Sequence, residues 1–213
     1  FVQGSKNAVL PILAASIVFP TETELMNVPC LSDVEASLSI LRQLGCTAVR
    51  EDNDVYIDSR SISSNVIPRS MMECMRSSVL FMGALLARCG EVHLTAPGGC
   101  KLGARPIDMH ISAMKALGAE VKECGCEIVC RAHRLKGARI ALPYPSVGAT
   151  ENAMLAACAA EGETVITGAA REPEIEDLQE YLRKAGAYVS GAGTADITIS
   201  GFDADSHIGH RIM

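Results

Sequence analysis

Residues 96–108 contain the side chains whose types and spacing are best suited to chemistry. They place Cys100 directly before Lys101 and close to Arg105, in a loop that holds three glycines. Glycines allow backbone conformations that other residues rarely adopt, and this loop length is typical of active sites rather than of tight turns. Neighbouring cations favour the thiolate form of a cysteine, which can then act as an acid, a base or a nucleophile. A catalytic loop is our interpretation, and a plain surface loop with an incidental cysteine is the alternative.

Polar residues also stand at the start of three apolar runs. They occupy residues 4–7 (GSKN), 75–78 (MRSS) and 146–152 (SVGATEN). If the runs are helices, Lys6 and Arg76 oppose the helix dipole, at a cost on the order of a few tenths of a kcal/mol each. Such a conflict between local preference and position is expected mainly at functional sites. We interpret the two cations as parts of an anion site, with solvated surface charge as the alternative.

The elements that must position these residues recur three times along the chain. The end of an amphipathic helix, a glycine and a strand are repeated around Gly45, Gly118 and Gly186, at intervals of about 70 residues. Glycine suits the left-handed position just after a helix end. We therefore expect one domain, residues 1–213, of three units at about 1–65, 66–136 and 137–213.

Each unit is expected to run helix, strand, helix, strand, strand. The first helices begin near Asn7, Ser77 and Glu151, and the first strands cover residues 24–28, 91–95 and 164–167. The second helices start at residues 32–33, 106–108 and 173–174. The first helices carry almost no charge, which predicts that they are surrounded on all sides by the rest of the fold. This indicates an α/β (α+β) fold in which three inner helices are enclosed by three small mixed sheets. If the inner helices are parallel, their N-termini meet at one end and attract anions.

Composition excludes several classes of protein. A net charge of −6 disfavours nucleic acid as the main partner, because binding it requires a dense basic surface. The apolar runs are shorter than the roughly 20 residues that cross a bilayer, and no secretory leader is visible. The chain has nine cysteines. Cys46, Cys89 and Cys158 lie in apolar segments, where a reduced thiol packs as a small hydrophobe. We therefore expect the protein to reside in a reducing cytoplasm.

A metal site is disfavoured. Cys124, Cys126 and Cys130 are close in sequence, but the alternating pattern of residues 120–131 predicts a β-hairpin, and no second cysteine or histidine pair accompanies them. No P-loop, dinucleotide fingerprint or nucleophile elbow is present. We therefore expect neither a metal nor another cofactor.

Four segments together resemble a known family. Residues 4–8 (GSKNA), 97–108 (PGGCKLGARPID), 146–152 (SVGATEN) and 170–175 (AREPEI) are similar, in order and spacing, to UDP-N-acetylglucosamine 1-carboxyvinyltransferases, the MurA family. This resemblance covers essentially the whole chain. It implies transfer of an enolpyruvyl group from phosphoenolpyruvate to the 3-hydroxyl of UDP-N-acetylglucosamine, with release of phosphate, in bacterial peptidoglycan synthesis. It also implies a two-domain enzyme in which each domain is an inside-out α/β barrel.

The resemblance also assigns roles to residues. It implies that Cys100 donates a proton to phosphoenolpyruvate and is the target of fosfomycin, and that Lys6 and Arg105 share the catalytic work by holding phosphoenolpyruvate. The substrate-binding residues that it implies are Lys6, Asn7, Arg76, Arg105, Pro106, Ile107, Asp108, Met109, Ser146, Val147 and Gly148.

The same resemblance suggests that part of the enzyme lies outside this sequence. Family members have about twice this length, as two domains of this size require. We expect the second domain, with an aspartate base and a further arginine, to be absent, so the chain alone should fold but not turn over. Two alternatives remain open: a 3-phosphoshikimate-type enolpyruvyl transferase, which lacks the cysteine loop, and a non-catalytic module that binds an anion or a nucleotide sugar.

Overall fold

The computed structural model describes residues 4–95, 107–201 and 211–212, without the side chains of Arg76, Arg211 and Ile212. The loop predictions for Cys100, Lys101, Arg105 and Pro106 therefore lie outside the described residues.

The described helices follow the predicted three-unit plan. They are α1 (Lys6–Ala15), α2 (Ser32–Gln43), α3 (Arg69–Cys74), α4 (Phe81–Cys89), α5 (Asp108–Ala116), α6 (Val147–Ala157) and α7 (Pro173–Lys184), with a 3-10 helix at Arg76–Leu80 before α4. The helices predicted to start at residues 32–33, 106–108 and 173–174 are α2, α5 and α7, and each begins within its predicted range. Among the first helices, α6 begins four residues before Glu151. The helix predicted near Ser77 begins as the 3-10 helix and continues as α4, and the short α3 before it was not predicted.

The strands form three small sheets, one for each unit. They are β1 (Glu22–Leu25), β2 (Thr47–Glu51), β3 (Asp54–Asp58), β4 (Glu91–Thr95), β5 (Glu120–Cys124), β6 (Glu127–Arg131), β7 (Arg139–Ala141), β8 (Glu163–Thr167), β9 (Tyr188–Ser190), β10 (Asp196–Ser200) and β11 (Arg211–Ile212). The sheet orders are β11-β1-β3-β2, β4-β6-β5 and β7-β8-β10-β9. Each sheet contains three antiparallel strands, and the last of the three in sequence, β3, β6 or β10, lies between the other two. The predicted hairpin at 120–131 is confirmed as β5 and β6.

Each sheet has a parallel pairing or bridge beside one of its outer antiparallel strands. β7 pairs in parallel with β8, and β11 pairs in parallel with β1. A parallel bridge between Val66 and His93 occupies the equivalent place beside β4. The segments that follow β3, β6 and β10 in sequence thus lie in parallel beside β4, β8 and β1, respectively. The described strands nevertheless form three separate sheets rather than one continuous barrel.

The three predicted stop glycines are confirmed at equivalent positions. Gly45, Gly118 and Gly186 have φ values of 97°, 91° and 101°. After each helix, the glycine N–H donates to a carbonyl three residues earlier, and the next N–H donates to a carbonyl five residues earlier. This is the hydrogen-bond pattern of a Schellman helix end, which needs a left-handed residue.

Burial agrees with the predicted inner helices. Every residue of α6 from Ala149 to Ala157 is buried, and α4 is buried from Phe81 to Leu86. Cys46 and Cys158 are buried as expected, but the prediction for Cys89 is wrong, because this last residue of α4 is exposed. The strand predicted at 24–28 ends earlier, at Leu25, because the chain turns at Asn27 with a φ of 56°. In the described part of the chain, no helix is long and apolar enough to cross a membrane.

Candidate functional site

The turn that begins α6 is fixed by its own hydrogen bonds. The Ser146 hydroxyl accepts from the backbone N–H of Ala149 at 3.4 Å, which caps the helix. The Thr150 hydroxyl donates to the Ser146 carbonyl at 2.8 Å and accepts from the Ala170 N–H at 3.0 Å. The turn that contains Val147 and Gly148 is therefore tied to the segment before α7. A rigid helix start of this kind presents free N–H groups and a partial positive charge to an anion.

The first turn of α5 lies against this helix start. Ile107 is the N-cap residue, Asp108 is exposed and Met109 is half-buried. His110 is buried, and a Cβ added to Gly148 would lie 3.3 Å from its Cε1 atom. The structure thus brings together two of the segments that the sequence analysis assigned to substrate binding. Burial lowers the pKa of His110 to about 4, so the ring is neutral at pH 7.

Lys6 and Asn7 are exposed at the start of α1. The Lys6 Nζ atom lies 2.9 Å from the Asp33 carboxylate in the first turn of α2, and the two side chains are 46% and 31% exposed. An ion pair this exposed contributes at most about 1 kcal/mol, because water screens it. Lys6 can therefore exchange Asp33 for another anion at little cost.

Arg76 begins the 3-10 helix, and its side chain is outside the description. The 3-10 helix lies against α1, α4 and α6. The 3-10 helix as a whole is therefore next to the first and third inner helices. The contacts of Arg76 itself stay a prediction.

Glu151 was missed as a special residue by the sequence analysis. Its side chain is buried in the second turn of α6, and the residue is 4% exposed. Burial raises its pKa to about 8, with a further contribution from the negative charges of Glu174 and Glu172 at the start of α7. Glu151 is therefore largely protonated at pH 7. The signal was a lone acid inside an otherwise uncharged helical run.

A cavity of about 510 Å³ opens beside the helix start. It is lined by Pro145, Gly168, Ala169, Arg171, Glu172 and Ala195. Among its described lining residues, Arg171 and Glu172 carry charge close to the Ser146 turn. Within the described ranges, no group of three His, Cys, Asp or Glu side chains could hold a metal ion.

The sequence model of one family matches residues 1–213, the entire chain. Its description is EPSP synthase (3-phosphoshikimate 1-carboxyvinyltransferase). The chain belongs to this family.

Similar curated members of the family share a different specific name. A UDP-N-acetylglucosamine 1-carboxyvinyltransferase 2 of Caldanaerobacter subterraneus subsp. tengcongensis is 47% identical over 94% of this chain and 48% of its own length. The UDP-N-acetylglucosamine 1-carboxyvinyltransferase of Geotalea uraniireducens is 43% identical over 100% of this chain and 51% of its own length. The chain thus spans about half the length of the curated relatives it matches.

Solved structures of the family share the fold. The enolpyruvyl transferase NikO from Streptomyces tendae superposes with a TM-score of 0.85, at 20% identity, over 99% of this chain and 50% of that chain. EPSP synthase from Acinetobacter baumannii superposes with a TM-score of 0.75, also at 20% identity, over 99% of this chain and 49% of that chain. The predicted enclosure of inner helices by small sheets is therefore the enolpyruvyl transferase fold.

Proposed function

We propose that this chain supplies one half of the active site of a UDP-N-acetylglucosamine 1-carboxyvinyltransferase. The observation that carries the proposal is identity of 42–47% to relatives of that name over 94–100% of the chain. The proposed reaction moves the enolpyruvyl group of phosphoenolpyruvate to the 3-hydroxyl of UDP-N-acetylglucosamine and releases phosphate. Residues 1–213 act as one domain of three units, and the proposed partner is the other half of the enzyme.

In this proposal the start of α6 is the platform for the nucleotide sugar. The backbone N–H groups around Ser146, Val147 and Gly148 face the negatively charged part of the ligand, where the helix dipole favours an anion. Its neighbour, the first turn of α5, contributes Ile107, Asp108 and Met109. The remaining proposed contacts to the substrates are Asn7, Arg76, Arg105 and Pro106.

The proposed chemistry depends on two cations and one thiol. Lys6 and Arg105 hold phosphoenolpyruvate and stabilise its charge as the reaction proceeds. The Cys100 thiol gives its proton to the methylene carbon, and the carbon next to it becomes open to attack by the sugar hydroxyl. The exposure of Lys6 and its weak pairing with Asp33 support the role of a residue that changes partner when substrate arrives.

The rest of the proposal concerns the whole enzyme. The base that accepts the sugar proton is assigned to the other half, so the isolated chain should bind substrate without releasing phosphate. The proposed location of the reaction is the bacterial cytoplasm.

Titration calorimetry of the isolated chain with two ligands tests the proposal. UDP-N-acetylglucosamine should bind, whereas shikimate 3-phosphate should produce no heat of binding. Binding of shikimate 3-phosphate in place of the nucleotide sugar would instead support the 3-phosphoshikimate enzyme. Binding of the nucleotide sugar together with an unreactive Cys100 would favour a non-catalytic binding module.

A further inference from the structure

Asn152, in α6, uses its whole side-chain amide to hold two other segments of the chain. The residue is fully buried. Its Oδ1 atom accepts from the Gly83 backbone N–H at 2.6 Å, and its Nδ2 atom donates to the Val79 carbonyl at 2.8 Å. The same Nδ2 atom lies 2.8 Å from Nδ1 of His110. One buried side chain of the third unit therefore contacts both the first and the second helix of the second unit.

The two backbone groups that Asn152 contacts are four residues apart. In a regular α-helix the N–H of Gly83 would donate directly to the carbonyl of Val79. The amide instead bridges them at the point where the 3-10 helix at Arg76–Leu80 passes into α4. A side chain that enters the helical ladder in this way alters the local winding. Asn152 therefore shapes the segment whose first residue is Arg76.

The backbone contacts also fix the proton on His110. The Gly83 N–H is a donor and the Val79 carbonyl is an acceptor, so the orientation of the Asn152 amide is unambiguous. Its NH₂ group must then donate to Nδ1 of His110. The His110 proton is consequently on Nε2, and the edge that carries it lies beside Gly148, where an added Cβ would be 3.7 Å from Nε2.

Gly83 allows this contact to form. A Cβ on Gly83 would lie 2.4 Å from both the backbone oxygen and the Oδ1 atom of Asn152. A side chain there would force α4 and α6 apart. The close approach of the two inner helices and the insertion of the amide are thus parts of one arrangement.

We propose that Asn152 is a positioning residue for the substrate site. It holds the segment that begins at Arg76 and the first turn of α5 against the start of α6, and it presents His110 as a neutral N–H donor beside Gly148. This inference rests on the proposed function for the identity of the ligand. The arrangement of Asn152 and His110 can be tested without any ligand.

The first test measures the protonation state of His110 in the intact chain. ¹⁵N NMR of the histidine rings between pH 5 and pH 8 reports it. The wild-type ring should stay neutral, with its proton on Nε2. In Asn152→Asp the carboxylate accepts rather than donates, so His110 should take a second proton within this range. Gln179→Glu is the matched control: it makes the same chemical change at another buried amide, in α7, and should leave His110 unchanged.

The second test is affinity for UDP-N-acetylglucosamine, measured at pH 8. Asn152→Asp should weaken binding by about tenfold. The substrate-binding segments would remain in place but shift by a small distance, and a small misplacement of a binding group already weakens its contact with the substrate. Gln179→Glu should bind as the wild type does. Equal loss in both variants would assign the effect to general destabilisation and overturn the positioning role.

The two tests separate failure of the inference from failure of the proposed function. A wild-type ring with its proton on Nδ1, or an unchanged His110 titration in Asn152→Asp, overturns the inference, and the wild-type spectrum decides the first point even if the variant does not fold. A wild-type chain that binds no UDP-N-acetylglucosamine contradicts the proposed function. The positioning role then fails with it, while the spectra still decide the state of His110.

Discussion

The starts of α1 and α6 occupy equivalent places in two units, yet they are built in opposite ways. At α6, the cap, Thr150 and Asn152 form a hydrogen-bonded structure that reaches α4, α5 and the segment before α7. At α1, Ser5 makes no side-chain cap bond, and Lys6 has one exposed ion pair with Asp33. The difference indicates that the two helix starts have different roles. One helix start is a fixed platform, and the other is a surface cation that can change partner.

The strongest way to break the platform is Gly83→Ala. The added methyl group would meet Asn152 at 2.4 Å, so the free energy of unfolding should fall by roughly 3 kcal/mol. Chemical denaturation at pH 7 measures this. A second change, Asn152→Ala, should not restore stability, because the backbone oxygen of Asn152 is equally close. An unchanged midpoint in Gly83→Ala would show that the two helices can separate freely.

The pH dependence of stability tests the buried acid of the platform. The folded chain keeps a proton on Glu151 up to a pKa of about 8, whereas the unfolded chain loses it near 4.5. The folded state thus binds more protons in this window, and the free energy of unfolding should fall as pH rises, by at most about 1.4 kcal/mol per pH unit.

His110 acts in the opposite direction at lower pH. Its pKa is about 4 in the folded chain and 6.5 when unperturbed. The contribution of His110 to the free energy of unfolding therefore increases as pH rises from about 4 to 6.5. The decline between pH 6.5 and pH 8 therefore belongs to Glu151, and Glu151→Gln should flatten it. Denaturation of both proteins across this range measures the difference. A decline that persists in Glu151→Gln would contradict the assignment.

A smaller effect is expected from Thr150→Val. This change keeps the shape of the side chain but leaves the Ala170 N–H without its acceptor, at a cost of roughly 1–2 kcal/mol. Ser5→Ala at the start of α1 is the matched comparison and should change the free energy of unfolding very little. Equal losses in the two variants would remove the contrast between the two helix starts.

The smallest effect on stability is expected from Lys6→Met. Because the ion pair with Asp33 is exposed, the free energy of unfolding should change by less than about 1 kcal/mol. Binding of phosphoenolpyruvate in the presence of UDP-N-acetylglucosamine should nevertheless be lost. Lys122→Met is the control, since it removes a similar surface pair with Glu120 on β5. A Lys6→Met variant that binds as Lys122→Met does would refute the proposed role of Lys6.

Local patterns explain why much of the fold could be predicted. Backbone preferences of single residue types predict where several helices end and start. Examples are the stop glycines at 45, 118 and 186 and the helix starts at Ser32 and Pro173. The inserted amide of Asn152 could not be predicted, because its partners Val79 and Gly83 are distant in sequence. The 3-10 helix before α4 was missed for the same reason. The pairing of β11 with β1 is likewise a long-range contact without a local signal.

Parts of the candidate site also carry local sequence signals. The polar starts of the inner helices were visible as residues that oppose an apolar pattern, and the contact of His110 with Gly148 joins two of the predicted segments. Glu151 also carries a sequence signal, because it is a lone acid inside an otherwise uncharged helical run. The position of Cys100 relative to these segments lies outside the described residues, so its role stays a prediction.

Intact-protein mass spectrometry after incubation with fosfomycin, with and without UDP-N-acetylglucosamine, tests the central claim most directly. We predict one covalent adduct, mapped to Cys100, that forms faster when the nucleotide sugar is present. Iodoacetamide in a parallel sample is the control for general thiol reactivity. Labelling by fosfomycin at any other cysteine, or no adduct while Cys100 still reacts with iodoacetamide, would contradict the claim that this chain carries the reactive half of the enzyme.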